Sequence, residues 1–173
     1  MPVPVISVVG SSNVGKTTFI VKLIAELKRR GYRVGTIKHY RHEFDVDQPG
    51  KDSWRHAEAG SDVAVIAGPH KIALVQRLDE ELPLHRILSL MLPTDLVLTE
   101  GYKGADTPKI EVFRQAHSRG LVAKRDELIA LVTDEPFPEV AVPQFGLDDA
   151  AGVANLLEEG FLHSAAKAKE ERE

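Results

Sequence analysis

The sequence predicts an α/β fold, a mostly parallel central sheet in three layers with one added hairpin. Three observations lead there. An apolar, β-branched run opens the chain and breaks into a glycine loop. An amphipathic helical pattern follows the loop, and a second apolar run follows the helix, so that β-loop-α-β is complete within the first 39 residues. Further short apolar runs then alternate with helical patterns. A right-handed crossover joining parallel strands is the default for such a unit.

Residues 3–9, V-P-V-I-S-V-V, read as a strand buried on both faces. After the loop, Phe19, Leu23 and Leu27 recur at i+4 with Ile20 and Ile24 beside them. Lys22, Glu26, Lys28, Arg29 and Arg30 fill the opposite face, and Gly31 ends the helix. "YRVGTIKH" is the second strand. Residues 40–52 are polar and acidic, with Pro49-Gly50 as a turn. "DSWRHAEAG" reads as a short helix capped by Asp52 or Ser53 and closed by Gly60. "DVAVIAG" and "KIALVQRL", joined by "GPH", form the expected hairpin. "PLHRILSLML" is a helix with Pro83 in its first turn. "DLVLTEG", "PKIEVFR" and "ELIALVTDE" supply further strands, with "EVAVPQF" offered as a last one. "DDAAGVANLLEEGF" is the final helix, and the tail "HSAAKAKEERE" is polar after its alanines, as in a frayed or disordered end.

Gly10 to Thr17 spells G-S-S-N-V-G-K-T, the phosphate-loop pattern G-x-x-x-x-G-K-[ST]. Its strand-before, helix-after setting is the one that gives the pattern meaning. Gly10 and Gly15 let the backbone wrap closely with N–H groups pointing inward. The helix that begins near Lys16 adds its positive end. The whole loop, Gly10, Ser11, Ser12, Asn13, Val14, Gly15, Lys16, Thr17 and Thr18, is therefore the candidate phosphate cradle, with Lys16 on the β- and γ-phosphates and the Thr17 hydroxyl on Mg²⁺. The expected domain is of the P-loop NTPase type over residues 1–160, with 161–173 as the tail.

A metal partner for Thr17 belongs at the carboxyl ends of parallel strands. "DLVLTEG" offers Asp95 and Glu100, which a strand separates by roughly 16 Å. Only one can reach the ligand edge, and the crossover direction selects Glu100 as metal ligand and, with Lys16, as candidate catalytic residue. Asp95 then belongs to the strand start. Lys38 and His39 end the second strand at the same edge; a lone histidine is more often structural than a general base. Asp47, in the acidic loop that follows, is a candidate direct or water-mediated Mg²⁺ contact. An acidic loop of this kind is also simply a solvated one. At the end of "ELIALVTDEP", Asp134 can accept from the N1–H and exocyclic amine of guanine, or it begins the "DEPFP" turn. The pattern Asn-Lys-x-Asp, which reads guanine in many GTPases, is absent.

Composition narrows the classes. A formal charge of −4 gives no global basic field for nucleic acid or an anionic membrane. The chain has no cysteine, which removes disulfides, thiolate metal sites and thiol catalysis and is compatible with a cytoplasmic protein. The apolar start lacks a basic leader, and no run approaches the ~20 apolar residues of a membrane helix.

Four stretches together carry a resemblance: "GSSNVGKTT", "GTIKHYRHEFDVDQPGKDSWRHAEAG", "DLVLTEGYKGADTPKIEVFR" and "ALVTDEP". Over residues 4–157 the chain resembles the MobB family, the adaptor of molybdopterin-guanine dinucleotide biosynthesis. D-x-x-x-x-E-G-Y-K and P-G-K-D-S-W-R are much more specific than the phosphate loop. The resemblance implies a GTP-binding homodimer with weak GTPase activity and GTP and Mg²⁺ as cofactors. Its partners would be the molybdopterin-guanine dinucleotide-forming enzyme (molybdenum cofactor guanylyltransferase) and molybdopterin itself. It places Gly10, Gly15, Lys16, Thr17 and Thr18 on phosphates and metal, and Glu100, Gly101, Tyr102 and Lys103 on the family's E-G-Y-K stretch. Lys51, Arg55, Lys103, Lys109 and Arg114 are candidates for molybdopterin's phosphate. The competing functions are a P-loop kinase acting on a small hydroxyl substrate and a stand-alone regulatory or nucleic-acid-binding nucleotide switch. Fold alone does not separate these. The kinase lacks a visible base and acceptor pocket, and the acidic balance and the lack of a basic-aromatic patch argue against nucleic acid.

Overall fold

A computed structural model of the chain describes residues 3–40 and 42–162. They fall into two compact units, where a single domain over 1–160 is the sequence expectation. The first unit joins Met1–His39 to Met91–Glu173, and the second is Tyr40–Leu90.

The first unit is built on strands β1 (Val5–Val9), β2 (Val34–Lys38), β5 (Leu96–Glu100), β6 (Lys109–Phe113), β7 (Leu128–Thr133) and β8 (Gln144–Phe145). They lie in the order β2-β5-β1-β6-β7-β8, and every pairing is parallel. All six carboxyl ends therefore share one edge. Helix α1 (Lys16–Arg29) turns Phe19, Ile20, Leu23 and Leu27 inward, the i+4 stripe of the sequence. Helix α4 (Ala150–Leu157) adds Val153, Ala154 and Leu157, and its N-cap Asp149 accepts the Gly152 N–H at 2.8 Å. Alternate strand residues (Ile6, Val8, Leu96, Leu98, Ile110, Val112, Ala130, Val132) meet both helices in one core. Arg30 ties the helices together, donating to Glu26 (2.7 Å), Asn155 (2.7 Å) and Glu158 (2.5 Å).

The other sheet face mixes buried polar groups with apolar ones such as Val9, Val97 and Leu131. Thr99 donates to Ser7 (2.8 Å), which is bonded to Thr107 (2.6 Å). Glu111 accepts from the N–H groups of Val122 and Ala123 at 2.8 Å each, so connecting chain forms the third layer here. Burial pushes the Glu111 carboxyl up, and those N–H bonds oppose the rise. Lys109 is fully buried in an ion pair with Glu127 (2.9 Å) and also donates to the Ala105 carbonyl (2.7 Å). That removes it from the candidate phosphate-binding cations: its ammonium is already committed within the fold.

The second unit contains helix α2 (Asp52–Glu58), strands β3 (Val63–Gly68) and β4 (Lys71–Gln76), and helix α3 (Leu84–Ser89). The two strands pair antiparallel as the expected hairpin. The N-cap of α2 is Lys51, without a side-chain cap bond, so neither Asp52 nor Ser53 caps it. The acidic side chain in its first turn still suits the helix dipole. At the end of the chain, α4 passes into a π-helical turn, Glu158–Leu162, whose Leu162 is buried. Order thus extends past residue 160, where the tail was expected to begin; the rest of that tail lies outside the described residues. Among the described residues no helix is long and apolar enough to cross a membrane.

Candidate functional site

The site grows from the end of β1. Val14 is fully buried and pins the loop to the core, while Ser12, Asn13, Thr17 and Thr18 stay exposed. Gly10, Asn13 and Gly15 take left-handed φ values of +143°, +61° and +97°. Asn13 is one of two non-glycine residues with positive φ among those described, and asparagine tolerates it best. At Gly10 the need is also spatial. A Cβ there would lie 2.3 Å from the Val112 carbonyl oxygen of β6. The N-cap of α1 is Gly15, with no side-chain cap, which leaves the first N–H groups of the helix without a side-chain acceptor at its positive end.

Lys16 folds back over the loop, and its Nζ donates to the Ser11 carbonyl at 2.6 Å and the Gly10 carbonyl at 3.3 Å. Burial holds its ammonium below the usual lysine value. Glu100 opposes that shift, while Lys103 and Lys38 add to it. Thr17 Oγ1 lies 2.9 Å from both Glu100 carboxylate oxygens, and Lys38 Nζ is 3.6 Å from Oε1. Lys16 thus feels one carboxylate, Glu100, and two other ammonium groups, Lys38 and Lys103, a locally positive place in an acidic chain.

The E-G-Y-K stretch owes its shape to two successive left-handed residues, Gly101 (φ +100°) and Tyr102 (φ +53°). They turn the chain sharply after Glu100, and Tyr102 stacks on His39 with ring centroids 4.5 Å apart. His39 N–H donates to the Glu100 carbonyl at 3.0 Å. The histidine thus shapes the turn that presents Glu100. Asp95 is at the other end of β5, where its carboxylate meets the Arg33 side chain (3.1 Å) and backbone N–H (2.8 Å).

Asp134 follows β7 and its Oδ1 accepts the Gln115 N–H at 3.1 Å, leaving Oδ2 on an exposed side chain. Asp47 belongs to the second unit, where it accepts the Gln48 N–H at 2.9 Å and lines a pocket of about 500 Å³ with Lys51 and His56. Arg55, also there, faces Asp52 at 3.9 Å. Arg114 is at the loop: its Nη2 lies 3.8 Å from the point a Gly15 Cβ would occupy, and its Nε is buried without a hydrogen-bond partner. Its position in the sequence, directly after the end of a charged strand, carried no signal of that neighbour.

These residues fit a magnesium–nucleotide. The Gly10 cradle closes on β6 too tightly for any side chain, the loop backbone is left-handed at three points, and a hydroxyl and a carboxylate converge beside it. No group of three or more His, Asp or Glu suited to hold a metal occurs among the described residues. A cation held by Thr17 and Glu100 would draw its remaining oxygens from phosphate and water, the usual arrangement for Mg²⁺.

Residues 5–134 match the family described as Molybdopterin guanine dinucleotide synthesis protein B. The chain is 36% identical to the molybdopterin-guanine dinucleotide biosynthesis adapter protein of Escherichia coli K12, over 91% of this chain and 93% of that protein. It is 34% identical to the protein of the same name from Haemophilus influenzae, over 93% and 91%. Among solved structures, the crystal structure of Bacillus subtilis MobB superposes with a TM-score of 0.74 at 30% identity, covering 90% of this chain and 97% of that one.

Proposed function

The chain belongs to the MobB family of molybdopterin-guanine dinucleotide biosynthesis proteins, and on that footing we propose that it is a GTP-binding adaptor with weak GTPase activity. The observation that carries the reading is the convergence of Thr17 and Glu100 beside a loop whose lysine folds over its own carbonyls. In this reading the loop N–H groups and Lys16 hold the phosphates, and Thr17 and Glu100 hold Mg²⁺. Bound there, the metal would neutralise charge on the phosphate oxygens. Glu100 orients Thr17, and Lys38 holds the Glu100 carboxylate in place from 3.6 Å. Weak turnover is consistent with the surroundings: His39 is stacked on Tyr102, and no other histidine belongs to the described cluster.

The partner would be the enzyme that joins molybdopterin to GMP, with GTP or the cofactor passed between them. For a homodimer, the support is the β3–β4 hairpin. Val65, Ile66, Ile72 and Leu74 are each more than half exposed, an apolar display that a second copy would cover. The deciding experiment measures nucleotide turnover alone, with small hydroxyl acceptors, and with the dinucleotide-forming enzyme. Slow turnover, indifferent to acceptors and changed by the enzyme, is the expected outcome. Fast acceptor-dependent transfer would establish a P-loop kinase instead.

Two variants test named residues. Glu100→Gln lowers Mg²⁺-dependent turnover more than Asp95→Asn does at matched stability, because only Glu100 reaches Thr17. The opposite ranking would move the metal elsewhere. Asp134→Asn weakens GTP and strengthens xanthosine triphosphate, whose extra carbonyl accepts from the new amide. Side-by-side titration of GTP, ATP and the xanthine analogue reads this out. A GTP preference that survives, with no xanthine gain, removes Asp134 as the guanine reader.

A further inference from the structure

A second concavity opens in the first unit, at the ends of β6 and β7. It holds about 270 Å³ and is lined by Phe113, Phe137, Pro136, Gln115, Glu135 and Glu139 among others. Phe113 pairs with Thr133 at the carboxyl ends of β6 and β7. Gly10 of the phosphate loop closes on Val112, the residue just before Phe113. Loop and pocket therefore share one edge of one sheet, and β1 and β7 are two strand spacings apart, or ~10 Å.

The pocket is preformed. Phe113 is almost wholly buried and meets Phe137 edge to face, with ring centroids 5.1 Å apart. The Gln144 side-chain amide grips the Phe137 backbone from both sides, accepting its N–H at 2.9 Å and donating to its carbonyl at 2.8 Å. The Thr133 hydroxyl donates to the Glu135 carbonyl at 2.8 Å and so anchors the start of the same loop. Arg114 lies in the chain between two lining residues, and its guanidinium reaches toward Gly15. Its buried Nε is a donor with no acceptor among the described residues, which is costly unless an anion supplies one.

We propose that this pocket seats a flat bicyclic heterocycle bearing an amino-oxo-pyrimidine edge, in which a ring N–H sits beside an exocyclic amine. The proposal rests on the nucleotide reading above and adds the seat of the ring to it. Aromatic and proline walls suit a planar ring. The ionisable groups of the lining, Glu135 and Glu139, are acceptors, with the exposed Asp134 adjoining them in sequence. Such a rim favours an edge made of donors and disfavours adenine, whose ring nitrogen at that place is an acceptor. Two ring systems carry the favoured edge: guanine and pterin. The Arg114 guanidinium, beside Gly15, would donate to an oxygen of the phosphate chain that links the seated ring to the loop.

The test titrates the wild type, Phe137→Ala and Glu135→Gln with Mg²⁺–GTP, Mg²⁺–ATP, Mg²⁺–tripolyphosphate and unsubstituted pterin, with thermal unfolding as the check on folding. Phe137→Ala weakens GTP by about fivefold or more, the scale of one lost ring-stacking contact, and leaves tripolyphosphate unchanged. Glu135→Gln, an exposed substitution that leaves the core untouched, narrows the preference for GTP over ATP and decides the matter if Phe137→Ala does not fold. Pterin that displaces GTP but not tripolyphosphate shows that the seat takes either ring. Pterin without effect assigns the seat to guanine. A wild type that binds tripolyphosphate as tightly as GTP, or folded variants that bind GTP like the wild type, overturns the seat while the phosphate loop stands. A wild type that binds neither GTP nor tripolyphosphate overturns the nucleotide reading and this inference together.

Discussion

Lys16→Ala lowers the affinity for Mg²⁺–GTP by about 10- to 150-fold and leaves the fold intact. The range follows from one charge-assisted hydrogen bond, worth roughly 1.5–3 kcal/mol. Lys16 Nζ already sits at the mouth of the loop, bonded to the Ser11 and Gly10 carbonyls, so its charge needs only a small movement to meet a phosphate. The helix it belongs to is held by Phe19, Ile20, Leu23 and Leu27, none of which it touches by these bonds, and alanine is a good helix former. Fold integrity and affinity therefore separate, and isothermal titration beside a urea midpoint measures both. Lys16→Arg serves as the control for charge alone, since a planar fork does not replace a compact ammonium. Unchanged GTP affinity in a folded Lys16→Ala protein would show that the loop grips no phosphate.

Gly10→Ala is expected to cost about 3–5 kcal/mol of stability, from a left-handed backbone joined to a steric overlap. The two terms have separate origins. At φ +143° any side chain is strained, and here the new Cβ would stand 2.3 Å from the Val112 oxygen and 3.2 Å from Val14 Cγ2. Val112 is fully buried within the β6 ladder, and Val14 is the plug that fixes the loop, so neither can yield cheaply. Gly15→Ala isolates the conformational term. It too has positive φ, yet its nearest neighbour would be the Arg114 guanidinium at 3.8 Å, an ordinary contact, so its cost falls to about 1–2 kcal/mol. Denaturant unfolding of the two variants side by side checks the ranking. Equal losses would mean that β6 does not press on the loop as described. A domain of ordinary stability has only 5–15 kcal/mol to lose, so the first change approaches the limit of folding.

What could be read directly from the chain is what neighbours in sequence decide among themselves. The phosphate loop is contiguous, so its glycines, lysine and threonine declare their geometry by spacing alone. The i+4 stripe of α1 is a property of one helix, and the turn between β3 and β4 is set by three residues. Strand direction also followed, because a β-loop-α-β unit allows one hand, and that alone separated Glu100 from Asp95. Tertiary structure decided which distant segments become neighbours. β5 lies between β1 and β2, and only this order brings Glu100 to Thr17, 83 residues away. Lys109 looked like a surface cation and is a buried one, because its partner Glu127 comes from the loop before the next strand. Arg114 stood out as a candidate phosphate-binding cation, but its place beside Gly15 and the Phe113–Phe137 pocket gave no sign in the sequence, since these depend on what stands across from them: Gly15 in one case, Gln144 and Thr133 in the other. Periodicity reports which face of an element is apolar. It carries no information about which element that face will meet, because that is settled by the joint packing of the whole sheet.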